Sequence, residues 1–451
     1  MRKKKIVIIP KAIITANDKD DVLRNYAVEI ENGKIINIFE RDNVKLKNYD
    51  GMIFSYPNHI LIPGFVQTHT HLCQTLFRGL ADDLELLDWL TKKIFPYENS
   101  HTKESLRLSA RLGLCELQTS GTTTILDMGT INHQESVFEE LNRFKMRAIA
   151  GKCMVDKNDL YLPFKQTTND CLRETKELAE SYHNSNNGKI KYGFAPRFVL
   201  SCTEYLLKET KEIMKDFDGS VYHTHSSENK NEILEVKKMY GMENVEFLNS
   251  LGILSNNTVL AHCIHLSDKE KELLKNTNTK VAHCPSSNLK LGSGIAEIPN
   301  YIKEGISVSI GADGAPCNNN LSMLTEMRLA ALIQKPIFGP TAMDAKTVFR
   351  LATIEGAKAL NLENEIGSIE VGKKADLVLM DMDKVEMSVS ESDESLYSNI
   401  VYSSSKNNIS EVMIEGDWVV SKGKSLLTDE LELVIKAKEE LKKLLKRTTV
   451  N

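Results

Sequence analysis

The sequence predicts a (β/α)8 barrel, a TIM-type barrel, that carries a small β-sandwich domain built from both ends of the chain. Two observations lead to this prediction. Short apolar segments alternate with longer helical patterns through the middle of the chain, and strand-rich segments with turn signals stand at both ends. With 451 residues, the chain is long enough for a large barrel with its own core and a second, smaller domain.

The two ends of the chain have the pattern of a small sheet. In the first predicted segment, residues 1–58, alternating apolar residues stand on both sides of Asn32-Gly33. This pattern favours a tight hairpin, because both turn positions need a positive φ. We predict that residues 367–427 complete the sandwich, and that residues 428–451 form a C-terminal helix.

The middle segment, residues 59–366, is predicted to form the barrel. It contains eight strand-length apolar segments separated by helical patterns, which is typical of eight β-then-α units. An open doubly wound sheet is the alternative, and it is disfavoured because no Gly-x-Gly-x-x-Gly follows the first strand. The predicted strands are Ile60–Val66, Thr122–Asp127, Ala148–Met154, Ile190–Ala195, Val221–His225, Thr258–His262, Lys280–Cys284 and Ser307–Gly311.

Composition and charge disfavour several classes of protein. The formal net charge of −5 gives no polycationic surface, so we expect no nucleic-acid partner. No run of about 18 apolar residues is present, so we expect no membrane span. The eight cysteines are scattered without a Cys-x-x-Cys pair, which favours a reduced, cytoplasmic protein.

The placement of histidines gives the strongest functional signal. The sequence has two His-x-His pairs, although its 11 histidines would give about 0.3 such pairs by chance. Residues at the carboxyl ends of barrel strands meet at one rim, and alternate strand residues point the same way, so such pairs can bind one ion. A lone histidine would more simply be structural, but six stand at or just beyond predicted strand ends. They are His69, His71, His223, His225, His262 and His283.

Two carboxylates accompany these histidines. Glu228 follows His225 by three residues, and Asp313 lies in a Gly-rich segment after the last predicted strand. Three imidazoles and one carboxylate around an open position make a catalytic divalent site, where bound Zn²⁺ lowers the pKa of a water to about 7. Glu228 is then predicted to be a general acid/base rather than a ligand.

Several of these segments resemble motifs of the amidohydrolase superfamily, and they follow one another in the expected order. Within it, the sequence is similar to the branch of 5′-deoxyadenosine, 5-methylthioadenosine and S-adenosylhomocysteine deaminases, which is related to s-triazine hydrolases and guanine deaminases. The segments are Pro63-Gly64-Phe65-Val66-Gln67-Thr68-His69-Thr70-His71, His225-Ser226-Ser227-Glu228, Ala261-His262-Cys263, Ala282-His283-Cys284-Pro285, Gly311-Ala312-Asp313-Gly314 and residues 367–378.

The resemblance implies a role for each matching residue. It implies one divalent metal, which is usually Zn²⁺ and in some relatives Fe²⁺. In the implied hydrolytic deamination of an adenine nucleoside, Glu228 protonates the ring and His262 orients the attacking water, while Asp313 takes a proton. His223 matches no ligand and is expected to line the barrel. The implied metal ligands are His69, His71, His225 and Asp313.

The substrate signals point to two different bases. Residues 76–98 resemble the adenosine-type deaminases, in which the acid matching Glu98 accepts hydrogen bonds from the ribose hydroxyls. Trp89, in the same segment, is expected to contact the substrate. Arg197 and Gln74 instead resemble guanine-deaminase contacts, in which the arginine binds a purine oxygen. A third interpretation makes Arg197 a structural cation paired with an acid.

Alternative functions therefore stay open. The sequence favours an aminohydrolase that acts on a small purine nucleoside, and the alternatives are a guanine deaminase or an s-triazine amino- or chlorohydrolase. A non-catalytic binding barrel is disfavoured, because every predicted ligand position carries a competent side chain. The identity of the metal, the preferred 5′ substituent and a homo-oligomeric assembly are left open.

Overall fold

The computed structural model describes residues 5–41, 46–47, 49–159, 161–387 and 392–448. Their strands, numbered in chain order, are β1 Lys5–Ile14, β2 Val22–Arg24, β3 Tyr26–Glu31, β4 Lys34–Glu40, β5 Met52–Pro63, β6 Phe65–His71, β7 Thr122–Asp127, β8 Arg147–Ala150, β9 Cys153–Met154, β10 Ile190–Pro196, β11 Val221–Ser226, β12 Thr258–His262, β13 Lys280–His283, β14 Val308–Ile310, β15 Asp313–Gly314, β16 Leu377–Asp381, β17 Ile409–Ile414, β18 Asp417–Ser421 and β19 Lys424–Ser425.

Helices separate most of the barrel strands and continue beyond them. The α-helices include Leu86–Trp89, Phe95–Asn99, Lys103–Thr119, Glu135–Arg143, Thr168–Tyr182, Glu204–Met214, Lys230–Tyr240, Asn244–Ser250, Asp268–Thr277, Pro285–Lys290, Ile298–Glu304, Ala315–Asn318, Met323–Phe338, Ala345–Leu351, Ile354–Ala359, Asp393–Ser398 and Glu430–Arg447. Shorter helical turns span Leu72–Phe77, Leu90–Ile94, Val199–Ser201, Asn399–Ser403 and Lys406–Asn408. Among the described residues, no helix is long and apolar enough to cross a lipid bilayer.

Strands β6 to β15 form a parallel sheet that closes into a barrel. β14 pairs with β13, while β15, which follows after Gly311 and Ala312, pairs with β6. Because β14 and β15 belong to one stretch of chain, together they make the eighth strand and join the two edges. β8 and β9 both pair with β10 and likewise make the third strand. The predicted eight-stranded barrel is confirmed.

The first barrel strand lies later in the chain than predicted. The sequence predicted Ile60–Val66, but β5 extends to Pro63 in the other sheet and the barrel begins with β6. At Gly64 the chain passes so close to β7 that a Cβ would lie 2.1 Å from Oγ1 of Thr123. The predicted boundary after residue 58 thus falls inside β5, and we propose that the boundary lies at Gly64.

The second sheet is built from both ends of the chain. Its nine strands run in the order β19-β18-β17-β16-β5-β1-β3-β4, with β2 beside β1. The sheet folds over on itself, because a Cβ on Gly416 would lie 2.8 Å from Cα of Gly33, although their strands lie far apart in this order. The layers share a core that includes Ile30 and Met413. This is the predicted β-sandwich, and Asn32 and Gly33 make its predicted hairpin with φ of 50° and 79°.

A buried ion pair joins the barrel to the sandwich. Arg147, on β8, donates from Nε to Oδ2 of Asp376 at 2.7 Å and from Nη2 to Oδ1 at 3.2 Å. Asp376 Oδ1 also accepts from the backbone N–H of Glu415 at 2.7 Å. The two side chains are 3% and 2% exposed, so each charge depends on its partner rather than on water.

We expect Arg147→Met to lower the free energy of unfolding by about 3–5 kcal/mol, because it leaves the Asp376 carboxylate buried without its partner. Urea unfolding followed by circular dichroism measures the change. Arg107→Met is the control, since Arg107 and Glu139 pair at the surface, where such pairs contribute about 0–1 kcal/mol. Equal effects of the two substitutions would contradict a special role for the buried pair.

Candidate active site

A cavity opens at the carboxyl ends of the barrel strands. Part of its lining is polar and comes from the ends of β6, β10, β11, β12 and β15 and from the segments that follow them. The rest is apolar and comes mainly from the segment after β6. Its lining includes His71, Gln74, Leu86, Trp89, Leu90, Arg197, Phe198, His225, Glu228, His262, Leu291 and Asp313.

The four predicted metal ligands meet beside this cavity. Asp313 Oδ1 lies 3.3 Å from His69 Nε2 and 3.5 Å from His71 Nε2. His71 Nε2 lies 3.1 Å from Nε2 of His225. Strand geometry explains the convergence, because His69 and His71 are alternate residues of β6 and Asp313 stands opposite Thr70 in the neighbouring strand.

These donor atoms fit a divalent metal. His225 Nδ1 lies 2.6 Å from the carbonyl oxygen of Arg197, so the proton is on Nδ1 and the lone pair of Nε2 faces the cluster. In a buried pocket this lone pair and the Asp313 carboxylate oxygen repel each other unless a cation lies among them. The ligand atoms of His69, His71 and Asp313 all lie within 4.8 Å of one another, which is close enough for one ion.

The protonation states of the cluster also suit a metal. Burial lowers the pKa of the three imidazoles, so they are neutral, which is the state that binds metal; they are His69, His71 and His225. Burial alone would raise the pKa of Asp313. The close contact with His69 and the nearby His262, whose own pKa is raised, outweigh burial and hold that pKa well below its usual value.

Glu228 and His262 lie next to the ligand cluster, and both are buried. His262 Nε2 is 3.4 Å from Glu228 Oε2 and 3.8 Å from Asp313 Oδ2. Burial raises the pKa of Glu228 to about 7, so this carboxyl group can hold a proton near neutral pH. Burial would lower the pKa of His262, but Glu228 and Asp313 outweigh it and raise that pKa. The arrangement is suited to proton transfer.

His223 has a contact that the sequence did not predict. It was expected to line the barrel, yet its Nε2 lies 2.8 Å from Nδ1 of His69. A hydrogen bond to the second nitrogen of a ligand imidazole fixes the orientation of that ring. The available signal was the His-x-His spacing, which places His223 on the same side of β11 as His225.

Two other contacts within the site were also missed. Ser287 Oγ donates to Asp313 Oδ2 at 2.6 Å, and Asn288 Oδ1 lies 2.8 Å from His262 Nδ1. Both residues lie in the short helix after β13. The polar run Ser286-Ser287-Asn288 was visible in the sequence, but serine and asparagine after a strand are usually turn residues.

The predicted substrate-binding residues form a network of their own. Gln74 Nε2 donates to Glu98 Oε1 at 2.7 Å, and Arg197 Nη1 lies 3.2 Å from Glu98 Oε2. Gln74 and Arg197 line the cavity, whereas the Glu98 side chain is fully buried behind them. Arg197 therefore has an acidic partner. A contact between Glu98 and a ribose diol stays a prediction and needs this pair to open.

Trp89 lines the cavity, as expected of a substrate contact. Its Nε1 is buried and has no hydrogen-bond partner within the described part of the chain. Buried indole N–H groups usually find an acceptor, so a ligand oxygen or nitrogen is a suitable partner for this one.

Comparison with known proteins identifies the class. Residues 60–419 match the model of the amidohydrolase family. The chain belongs to this family.

Curated relatives match nearly the whole chain. A 5-methylthioadenosine/S-adenosylhomocysteine deaminase of Thermodesulfovibrio yellowstonii is 36% identical over 438 residues, which cover 96% of this chain and 97% of the relative. A 5′-deoxyadenosine deaminase of Methanobrevibacter smithii is 38% identical over 416 residues, which cover 92% of this chain and 93% of the relative. Further relatives with these two names are 32–35% identical.

Solved structures confirm the fold. An adenosine deaminase from Xanthomonas campestris with bound zinc is similar with a TM-score of 0.91 and 27% identity, covering 98% of this chain and 99% of that one. The guanine deaminase of E. coli is similar with a TM-score of 0.81 and 29% identity, and the match covers 93% of this chain and 99% of that one.

Proposed function

We propose that this protein is a metal-dependent hydrolytic deaminase of adenine nucleosides of the 5′-deoxyadenosine, 5-methylthioadenosine or S-adenosylhomocysteine type. The observation that carries the proposal is the meeting of a four-ligand cluster with Glu228 and His262 at one cavity. The names of relatives that match nearly the whole chain support this substrate class. The products are ammonia and an inosine-type nucleoside.

The proposed cofactor is one divalent ion held by His69, His71, His225 and Asp313. Zn²⁺ is the first choice, because imidazole and carboxylate ligands suit it and a structural neighbour holds zinc. Fe²⁺ has the same ligand preferences at such a site. When bound, such a metal lowers the pKa of a water to about 7 and so supplies a nucleophile at neutral pH.

Side chains of this protein accept and donate the protons of the proposed reaction. Asp313 Oδ2 and His262 Nε2, 3.8 Å apart, orient the attacking water, and Asp313 accepts its proton. Glu228, with a pKa of about 7, donates a proton to the ring nitrogen next to the attacked carbon. The water oxygen bonds to C6, the bond from C6 to the amino nitrogen breaks, and the protonated amino group leaves as ammonia.

A second candidate is guanine deamination. Arg197 and Gln74 both line the cavity, as the resemblance to guanine deaminases implies, and the E. coli guanine deaminase is similar over most of this chain. The triazine hydrolases at 22% identity share the fold, which carries no argument about the substrate.

We also propose a cytoplasmic location. All eight cysteines are buried free thiols, as expected in a reducing compartment. The partner proposed is the small-molecule substrate.

We expect the purified protein to release ammonia from at least one of 5′-deoxyadenosine, methylthioadenosine and S-adenosylhomocysteine, with a kcat/KM in the usual enzyme range of about 10⁴–10⁸ M⁻¹s⁻¹. A coupled ammonia assay on these three nucleosides and guanine measures the preference. Turnover of guanine alone would favour the second candidate, and no turnover of any of the four would contradict both.

We expect Glu228→Gln to lower kcat about 10²–10⁴-fold while the protein keeps its metal, because the amide provides no acid proton for the ring nitrogen. Steady-state kinetics and elemental analysis measure the two properties. Glu235→Gln is the control, since Glu235 is a half-exposed residue of the next helix. A variant at position 228 that works at the wild-type rate would refute the assigned role.

We expect protein purified without chelators to contain about one divalent metal per chain and to lose both metal and activity on prolonged chelation. Added Zn²⁺ should restore activity. His71→Ala and Asp313→Ala should bind metal poorly, because each removes a ligand, whereas His183→Ala, beyond the helix Thr168–Tyr182, should bind normally. Full activity of thoroughly metal-free protein would contradict the proposed cofactor.

A further inference from the structure

The short helix after β13 carries three consecutive polar residues, and two of them contact the active site. Ser286 Oγ donates to Glu326 Oε1 at 2.5 Å, Ser287 Oγ donates to Asp313 Oδ2 at 2.6 Å, and Asn288 Oδ1 lies 2.8 Å from His262 Nδ1. The last two bonds reach the two residues that are proposed to orient the attacking water.

Ser287 and Asn288 act from behind the cavity rather than within it. They are 0% and 1% exposed, and the described residues that line the cavity include His262 and Asp313 but neither of these two. A substrate in the cavity therefore contacts His262 and Asp313 directly and the helix only through them. Hydrogen bonds in such a buried setting are strong, and their loss leaves a polar group unpaired.

The backbone at both contacted residues needs support. His262 has a φ of 72° and Asp313 has a φ of 63°. Both lie in the left-handed region, which residues other than glycine rarely adopt. Such conformations are unfavourable and persist where the surroundings hold them in place. The side-chain bonds from Ser287 and Asn288 end on the side chains of these two residues.

Each bond also selects what its partner presents to the cavity. The Asn288 carbonyl accepts the proton of His262 Nδ1, so Nε2 is left to face Glu228 Oε2, 3.4 Å away. The Ser287 hydroxyl engages Oδ2 of Asp313 and leaves Oδ1 facing His69, 3.3 Å away.

The helix itself is anchored. Glu326 Oε2 accepts from the backbone N–H of Ser286 at 3.2 Å, and its Oε1 accepts from Asn318 Nδ2 at 2.9 Å. Asn318 Nδ2 also donates to the carbonyl oxygen of Ala312 at 2.7 Å, next to Asp313. Glu326 therefore links this helix to the segment that carries the carboxylate ligand.

We propose that Ser287 and Asn288 are positioning residues, of which Ser287 sets the metal-binding orientation of Asp313 and Asn288 sets the ring orientation of His262. The proposal rests on the proposed function, because it takes Asp313 as a metal ligand and His262 as a group that orients water.

The test for Asn288 compares two substitutions of similar size. Asn288→Leu removes the acceptor, and it should lower kcat about 10–100-fold with KM within about twofold and metal content unchanged. Asn288→Asp keeps an acceptor for Nδ1–H, and it should retain most of the activity. A crystal structure of Asn288→Leu should show the His262 ring rotated away from Glu228.

The test for Ser287 does not need the substrate. Ser287→Ala should weaken Zn²⁺ binding about 10–100-fold in competition with a chromophoric chelator, because Asp313 is no longer held in its binding orientation. Leu289→Ala is the control on the same helix. Leu289 is 40% exposed, so its effect on Zn²⁺ affinity and kcat should be within about twofold.

The outcomes separate this proposal from the proposed function. Wild-type Zn²⁺ affinity in Ser287→Ala, or a wild-type kcat with an unmoved His262 ring in Asn288→Leu, would overturn it. If the wild-type protein deaminates none of the nucleosides, the chelator competition and the crystal structure still decide the positioning roles. Where Asn288→Leu does not fold, Asn288→Ala, which only removes atoms, takes its place with the same expected losses.

Discussion

The site depends on the close pairing of the last barrel strand with the first. Asp313 and Gly314 stand opposite Thr70 and His71, so a proposed ligand late in the chain reaches proposed ligands near its beginning only because the barrel closes there. The two strands approach so closely that a Cβ on Gly311 would lie 2.8 Å from Cβ of His69. A larger residue at position 311 would push the strands apart and with them the two halves of the ligand cluster.

Burial then determines what the assembled cluster can do. The ligand imidazoles are neutral in this environment, while Asp313 keeps its negative charge and accepts hydrogen bonds from Ser287 and from the backbone of Gly314 at 2.7 Å. A buried carboxylate is costly unless it is paired, and a divalent cation is the natural partner. The same desolvation raises the pKa of Glu228 toward neutrality, so burial favours both the neutral imidazoles of the proposed metal site and a protonated acid.

The sequence predicted local features well and long-range contacts poorly. Strand number and the histidine pairs follow from short periodic patterns, and the structure agrees with them. The predicted start of the first barrel strand was wrong, because the end of β5, Ile60 to Pro63, and the start of β6, Phe65 and Val66, form one apolar run that only Gly64 interrupts. The contacts of His223 and Asn288 were missed since each joins segments far apart in the chain, which periodicity does not relate.

The residues that resemble adenosine-type deaminases and those that resemble guanine deaminases belong to one hydrogen-bonded network. Glu98, which resembles a residue of adenosine-type deaminases, binds Arg197 and Gln74, which resemble residues of guanine deaminases. The Arg197 guanidinium also lies 5.3 Å and 5.9 Å from the ring centres of Phe95 and Phe164, so its plane has little freedom. A carboxylate bound to Arg197 cannot accept two ribose hydroxyls in the same geometry. The proposed contact of Glu98 with a ribose diol therefore requires Arg197 to release Glu98 when the ligand binds, which makes the network, rather than any one of these residues, the proposed determinant of substrate choice.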